Sequence, residues 1–257
     1  MSLLVFIALS IILFCIPCFL LISTQSSSTH SLRHKMNFPV TKLATNHIIP
    51  SILYGTAWKK DRTRELVKLA IINGFRAIDT ACQPKHYRED LVGDALVDLY
   101  NDNIIKRHDI FIQTKFTPFN GQDPNNIPYN PKDTLTNQVK QSIQTSLNNL
   151  HTDYIDSLLL HSPLTTFEQT IEVYNTLETY YNNKIIFNLG ISNIYDVQLL
   201  KRIYDTVTIK PKCVQNRFYA ESGYDVEIRE FCKEHDMVYQ SFWTLTANPH
   251  IIKRYVL

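Results

Sequence analysis

From Pro50 onward, short apolar runs alternate with longer amphipathic ones, and this alternation limits the chain to very few folds. The apolar runs fall at residues 51–54, 76–79, 110–115, 155–161, 185–192, 213–218 and 237–242. A run of this length bounded by turn residues reads as a strand, and a strand followed by a helix must cross over before it can pair with the next. Repetition of that unit gives a parallel sheet covered by helices. The fold class expected is therefore α/β, a TIM-type (β/α) barrel, with strand count stopping at seven. Only residues 243–257 follow the last run, too few for an ordinary helix, an eighth strand and a closing helix. The barrel is accordingly expected to be incomplete.

The intervening segments carry helix signals. Asp61 reads as the N-cap of a first helix with Leu66, Leu69, Ala70 and Asn73 on one face and Gly74 as its stop. A second helix is expected over 91–100. Asn130-Pro131 is expected to launch a third, with Leu135, Val139, Ile143, Leu147 and Leu150 forming its apolar stripe. Thr165 and Glu168 have capping-box spacing for a fourth. Two more are expected near 195–204 and 225–235.

Residues 1–35 follow a different logic. Residues 3–22 contain no formal charge, and twenty residues at 1.5 Å rise cross a hydrocarbon core of about 30 Å. A signal peptide is the competing reading, but the run has no preceding Lys or Arg and exceeds the usual apolar length. The segment is therefore expected to be an uncleaved membrane anchor, with 25–30 as a Ser/Thr-rich tether. Arg33 and Lys35 would keep the body, 36–257, in the cytosol. If Met36 is the true start, the protein is cytoplasmic. Of five cysteines, Cys15 and Cys18 lie in the apolar run, and Cys82, Cys213 and Cys232 are scattered, which points to free thiols. A formal charge of +2 with acids and bases interleaved offers no basic stripe for nucleic acid.

Polar residues end the strands. Asp79 closes the second, Lys115 the third, His161 the fourth, and Ser192 and Asn193 the fifth; Gln215 lies in the sixth and Ser241 late in the seventh. In a parallel barrel these ends share one rim, where such folds build their active sites. Each alone could be a cap, a surface charge or a core histidine. Together, an Asp, a Lys and a His on consecutive strands must meet, and a buried charge there must be paired. Lysine is a poor metal ligand and the rim has one clear His, so acid chemistry fits the set better than a metal.

Several motifs carry a resemblance to a known family: Tyr54-Gly-Thr-Ala-Trp58, Gly74-Phe-Arg-Ala-Ile-Asp-Thr-Ala81, Tyr87-Arg-Glu-Asp-Leu-Val-Gly93, Ile112-Gln-Thr-Lys115, Asp153-Tyr-Ile-Asp-Ser-Leu-Leu-Leu-His161 and Gly190-Ile-Ser-Asn193. From about Ile49 to its end the chain resembles the aldo-keto reductases. The resemblance implies an NAD(P)H-dependent oxidoreductase that reduces aldehyde or ketone carbonyls to alcohols by hydride transfer. It implies a catalytic tetrad of Asp79, Tyr87, Lys115 and His161, with Tyr87 as general acid. It also implies cofactor contacts from Thr56, Ser192, Asn193, Gln215 and Ser241, and a substrate pocket that includes Trp58. NADPH is the implied cofactor, with NADH left open, and a small carbonyl compound the implied partner.

Three departures accompany it. The stretch Cys82-Gln-Pro-Lys-His86 lengthens the spacing after Asp79, so an ungapped reading puts His86 at the acid position. Tyr87 is preferred. An aromatic position that stacks on the nicotinamide in many members holds Gln240 or, in a shifted register, Phe242. The basic segment that holds the adenosine 2′-phosphate has no counterpart, and Lys253 and Arg254 cannot be given its task from spacing. The alternative reading is a catalytically silent, truncated barrel acting as a membrane-tethered binding protein. A nearby ammonium is also expected to ease release of the tyrosine proton.

Overall fold

The structure, a computed structural model, describes residues 40–42 and 48–250. The expected anchor over 3–22, the tether, Cys15, Cys18, Arg33, Lys35, Lys253 and Arg254 lie outside the described residues. Among the described residues no helix is long and apolar enough to cross a membrane.

Two short strands, β1 (Val40–Lys42) and β2 (Ile48–Pro50), pair antiparallel, a hairpin that the sequence reading did not foresee. The main sheet then runs β3 (Tyr54–Gly55), β4 (Ala77–Asp79), β5 (Phe111–Phe116), β6 (Ser157–Leu160), β7 (Leu189–Ser192), β8 (Cys213–Arg217) and β9 (Val238–Phe242). Its strands are parallel and ordered as in sequence. Helices α1 (Thr63–Ile72), α2 (Glu89–Asn101), α3 (Leu135–Asn149), α4 (Phe167–Asn182), α5 (Val197–Thr206) and α6 (Val226–Glu234) fill the crossovers.

The sheet is strongly curled. Neighbouring strands lie about 4.8 Å apart, so four steps along a flat sheet would separate β4 from β8 by roughly 19 Å. Yet Gln215 on β8 donates to Asp79 on β4 at 3.1 Å. Such a bond is made only across the interior of a barrel. Among the described residues the β3 and β9 edges do not pair with each other, so the barrel is open there.

Strand parity then sorts the side chains. On β5, Ile112 and Phe116 face the helices while Gln113 and Lys115 point inward; on β8, Val214 faces out while Cys213 and Gln215 point inward. The outward set packs against α3, α4 and α5 through Val139, Ile143, Val173, Leu177, Leu200 and Ile203, all essentially buried. Inside, Ile49 packs with Leu159, Cys213 and Val238. Cys213 and Val238 are the first residues of their strands, so β2 plugs the end opposite the rim. Gly190 is required where this interior is tightest: a Cβ would stand 2.6 Å from Cys213 O, Cys213 Sγ and Leu159 Cδ2.

Several local expectations need correction. Asp61 does not cap α1; it lies in a single 3-10 turn and pairs with Arg88 at 2.8 Å. The buried face of α1 is Thr63, Val67, Ala70 and Ile71, while Leu69 is exposed. Pro131 does not start α3. Asn130 forms a turn with Lys132 and Asp133, and Thr134 is the N-cap, accepting from Asn137 N at 3.3 Å. The apolar stripe of α3 is as expected, with Val139, Ile143 and Leu150 buried. The capping box of α4 is Thr166 with Gln169, one residue beyond Thr165 and Glu168, since an amide serves the reciprocal bond as well as a carboxylate. Cys82, Cys213 and Cys232 are buried free thiols.

Candidate active site

The site grows from the ends of β4, β5 and β6. Asp79, Lys115 and His161 point to the same mouth because each ends an inward-facing column. Lys115 Nζ donates at 2.8 Å to both Asp79 oxygens and at 2.8 Å to Thr80 O. An ammonium has three hydrogens, and three acceptors take them. Lys115 is 1% exposed and Asp79 8%, so each charge depends on the other for solvation.

Behind this pair lies a ring of carboxamides. Gln113 Nε2 donates to Asp79 Oδ1 at 2.8 Å and to Gln240 Oε1 at 2.7 Å; Gln215 Nε2 donates to the same two atoms at 3.1 Å each. Gln240 Nε2 returns a bond to Gln113 Oε1 at 3.1 Å. Asp79, an acceptor only, orients both amides that face it, and those orient Gln240. Gln240 is therefore an interior hydrogen-bonding residue.

The stretch that lengthens the chain after Asp79 is folded into a turn: His86 N and Tyr87 N both donate to Gln83 O, at 3.1 and 3.0 Å. Gln83 Nε2 to Gly121 O at 2.6 Å and Gln122 Nε2 to Cys82 O at 3.0 Å pin that turn to the β5–α3 loop. This absorbs the insertion and turns Tyr87 inward. Its ring centre is 5.4 Å from Lys115 Nζ and 6.1 Å from the His161 ring. His86 instead stacks on Trp58 with ring centres 3.8 Å apart, and Trp58 N donates to His86 O at 2.8 Å. Trp58, at φ 63°, is held in a left-handed conformation that leaves it 57% exposed at the rim.

The electrostatics correct one expectation. Burial pushes the Tyr87 phenol well above its ordinary range, and the Asp79 charge pushes it further. The Lys115 ammonium gives its three hydrogens to the Asp79 oxygens and Thr80 O, so it has none left to donate to the phenol. His161 moves the other way. Burial first, then Lys115 and His86, holds its imidazole well below the usual value and therefore neutral near pH 7. Its Nδ1 lies 2.6 Å from Thr117 Oγ1.

The remaining residues surround this centre. Asn193, in a left-handed conformation at φ 52°, donates through Nδ2 to His161 O at 2.9 Å. Ser192 Oγ donates to Gln215 O at 2.7 Å. Thr56 is fully buried with its hydroxyl on Asp79 O at 3.0 Å, and Ser241 is 2% exposed and accepts from Thr244 at 2.9 Å. Gln215 Oε1 accepts nothing among the described residues, and Asn193 N donates to Gln215 O at 3.1 Å, so a ligand amide reaching the carboxamide would find an acceptor without a partner. Sequence reading missed Gln113, Thr117 and the turn made by Gln83. The inward parity of Gln113 with Lys115 was the available signal for the first.

The profile described as the Aldo/keto reductase family matches residues 51–251. An uncharacterised oxidoreductase of Schizosaccharomyces pombe is 30% identical over 206 residues, covering 79% of this chain and 66% of that protein. Dihydrodiol dehydrogenase 3 of Bos taurus is 28% identical over 227 residues, covering 79% of this chain and 65% of its own length. The crystal structure of an aldo/keto reductase from Brucella melitensis superposes with a TM-score of 0.65 at 26% identity, covering 80% of this chain and 71% of that one. This chain thus spans just under two thirds of the length of these two curated relatives.

Proposed function

Because the chain belongs to the aldo/keto reductase family, we propose that it is a carbonyl reductase whose general acid is Tyr87 and whose cofactor is NADPH. The observation that carries this reading is the convergence of Tyr87, Lys115, Asp79 and His161 at the barrel mouth, together with the turn that presents Tyr87 and withdraws His86.

The chemistry follows from those groups. A nicotinamide cofactor, when bound, would supply the hydride that adds to the carbonyl carbon. Charge then grows on the carbonyl oxygen, and the Tyr87 hydroxyl donates its proton there, leaving an alcohol and a phenolate that takes a proton back from solvent. With its phenol pushed upward, Tyr87 stays protonated throughout the working pH range. The driving force comes from the basicity of the developing alkoxide. Neutral His161 can donate a hydrogen bond to the same oxygen and orient it, and Lys115 contributes a fixed positive field held in place by Asp79. Gln215 Oε1, with Asn193 beside it, is the group suited to the nicotinamide carboxamide, and Ser192 steadies Gln215 from below. Trp58 forms a wall of the substrate entrance.

A titration with NADPH tests this reading. Binding should quench Trp58 or Trp243 fluorescence and raise the melting temperature. If neither changes at saturating concentration, the silent-barrel reading replaces it. We also propose that residues 3–22 anchor the chain in a membrane with its body in the cytosol, on the strength of their length and lack of charge. Recovery of the intact chain wholly in the soluble fraction would reject the anchor.

A further inference from the structure

Arg217 ends β8 with a guanidinium that no side chain among the described residues pairs with. No carboxylate among the described residues pairs with it. Every Asp and Glu of residues 1–257 lies between Asp61 and Asp236, within the described residues. Its Nε is buried and has no hydrogen-bond partner among the described residues.

Two aromatic rings hold the group in place. The guanidinium carbon is 4.1 Å from the Trp243 ring centre and 5.3 Å from that of Tyr219. Arg107 shows what a structural arginine in this protein looks like. It too lies over an aromatic ring, Tyr154 at 3.8 Å, but its nitrogens are all satisfied by Thr152, Ile110 O, Tyr154 O and Asp156. Arg217 has the ring contacts without the acceptors. Leaving a charged nitrogen buried and unpaired is costly, and an anion arriving from solution would remove that cost.

The position says which anion. Arg217 has the strand parity of Gln215, and it pairs in register with Phe242, between Ser241 and Trp243. Two residues at about 3.3 Å rise put it roughly 7 Å nearer the mouth than Gln215. That is about the span of one ribose. We propose that Arg217 is the residue that receives the pyrophosphate of the dinucleotide, its planar fork matching two phosphate oxygens while Trp243 and Tyr219 fix its plane. The assignment rests on the reading above, in which the nicotinamide end sits at Gln215.

The test is a fluorescence titration of NADPH into the wild type, Arg217→Gln and Arg217→Lys, repeated with sodium pyrophosphate as competitor, with melting curves of each protein without ligand. Arg217→Gln should weaken NADPH by on the order of tenfold or more and abolish competition by pyrophosphate. Arg217→Lys, which keeps the charge and loses the fork, should fall between. The unligated melting temperature of Arg217→Gln should be unchanged or raised, because a buried Nε without an acceptor has been removed. Equal NADPH affinity in wild type and Arg217→Gln would overturn the assignment while leaving the reductase reading intact, as would a large drop in unligated melting temperature, which marks a structural arginine. Wild-type NADPH affinity in Arg217→Lys overturns it equally. Failure of the wild type to bind any nicotinamide dinucleotide would reject the reading of the site, and the assignment with it.

Discussion

Lys115 Nζ stands 2.8 Å from each carboxylate oxygen of Asp79, and its third hydrogen goes to Thr80 O. The pair is buried and mutually dependent, so breaking it from one side leaves an uncompensated charge. Asp79→Asn should lower stability by about 3–5 kcal/mol. The double variant Asp79→Asn/Lys115→Met should lose much less than the sum of its single changes, because neither charge is then stranded. Denaturant unfolding of the four proteins checks this; additive losses would mean the two residues do not depend on each other.

The turn at Gln83 decides between two neighbouring candidates for the acid. Tyr87→Phe should reduce carbonyl turnover by on the order of 10² while leaving cofactor affinity nearly unchanged, since only the donated proton is removed. His86→Ala should be milder, because its ring lies against Trp58. Steady-state kinetics of both variants measure the difference. Since the phenol is shifted upward, the Tyr87-dependent rate should also show no alkaline fall attributable to this group up to pH about 10.

His161 makes stability depend on pH with a definite sign. Its folded pKa lies well below the ordinary 6.5, so between those two values the unfolded chain binds a proton that the folded one refuses. Its contribution is complete above pH about 6.5 and is lost as pH falls toward the folded value, at up to about 1.4 kcal/mol per pH unit. The wild-type stability curve should therefore fall more steeply below pH 6.5 than that of His161→Gln. Parallel curves for the two proteins across that range would show that His161 does not resist protonation.

Much of this site was legible beforehand because strand ends in a parallel sheet converge by topology alone. Asp79, Lys115 and His161 needed only the strand register to be brought together. What could not be read was the interior of the barrel. Gln240 looked like a departure at an aromatic position; it is one member of a carboxamide ring whose other members, Gln113 and Gln215, lie on strands far away in sequence. The charge balance at Tyr87 was misjudged for a similar reason. Proximity of a lysine suggests an acidified phenol, but in the folded chain Asp79 and Thr80 take all three ammonium hydrogens. Helix starts were missed locally, at Asp61, Pro131 and Thr165, where more than one residue offers a plausible cap and tertiary contacts select one.

Gly190 tests the packing beneath the site. A Cβ there would meet Cys213 and Leu159 at 2.6 Å, two contacts of which are with Cys213 itself, backbone and sulfur. Gly190→Ala should cost about 1–3 kcal/mol through overpacking. Thermal or urea unfolding checks this, and wild-type stability would show that β7 can shift away from β6 and β8.

The account rests on Tyr87 at the barrel mouth acting as proton donor for dinucleotide-dependent carbonyl reduction. The most direct measurement follows NADPH oxidation by near-ultraviolet absorbance with a small activated aldehyde, comparing the wild type with Tyr87→Phe after each has been shown to bind NADPH. Aldehyde-dependent oxidation by the wild type, reduced by on the order of 10² in Tyr87→Phe, is the predicted result. Equal rates in the two proteins, or binding of NADPH with no aldehyde-dependent oxidation in the wild type, would contradict it.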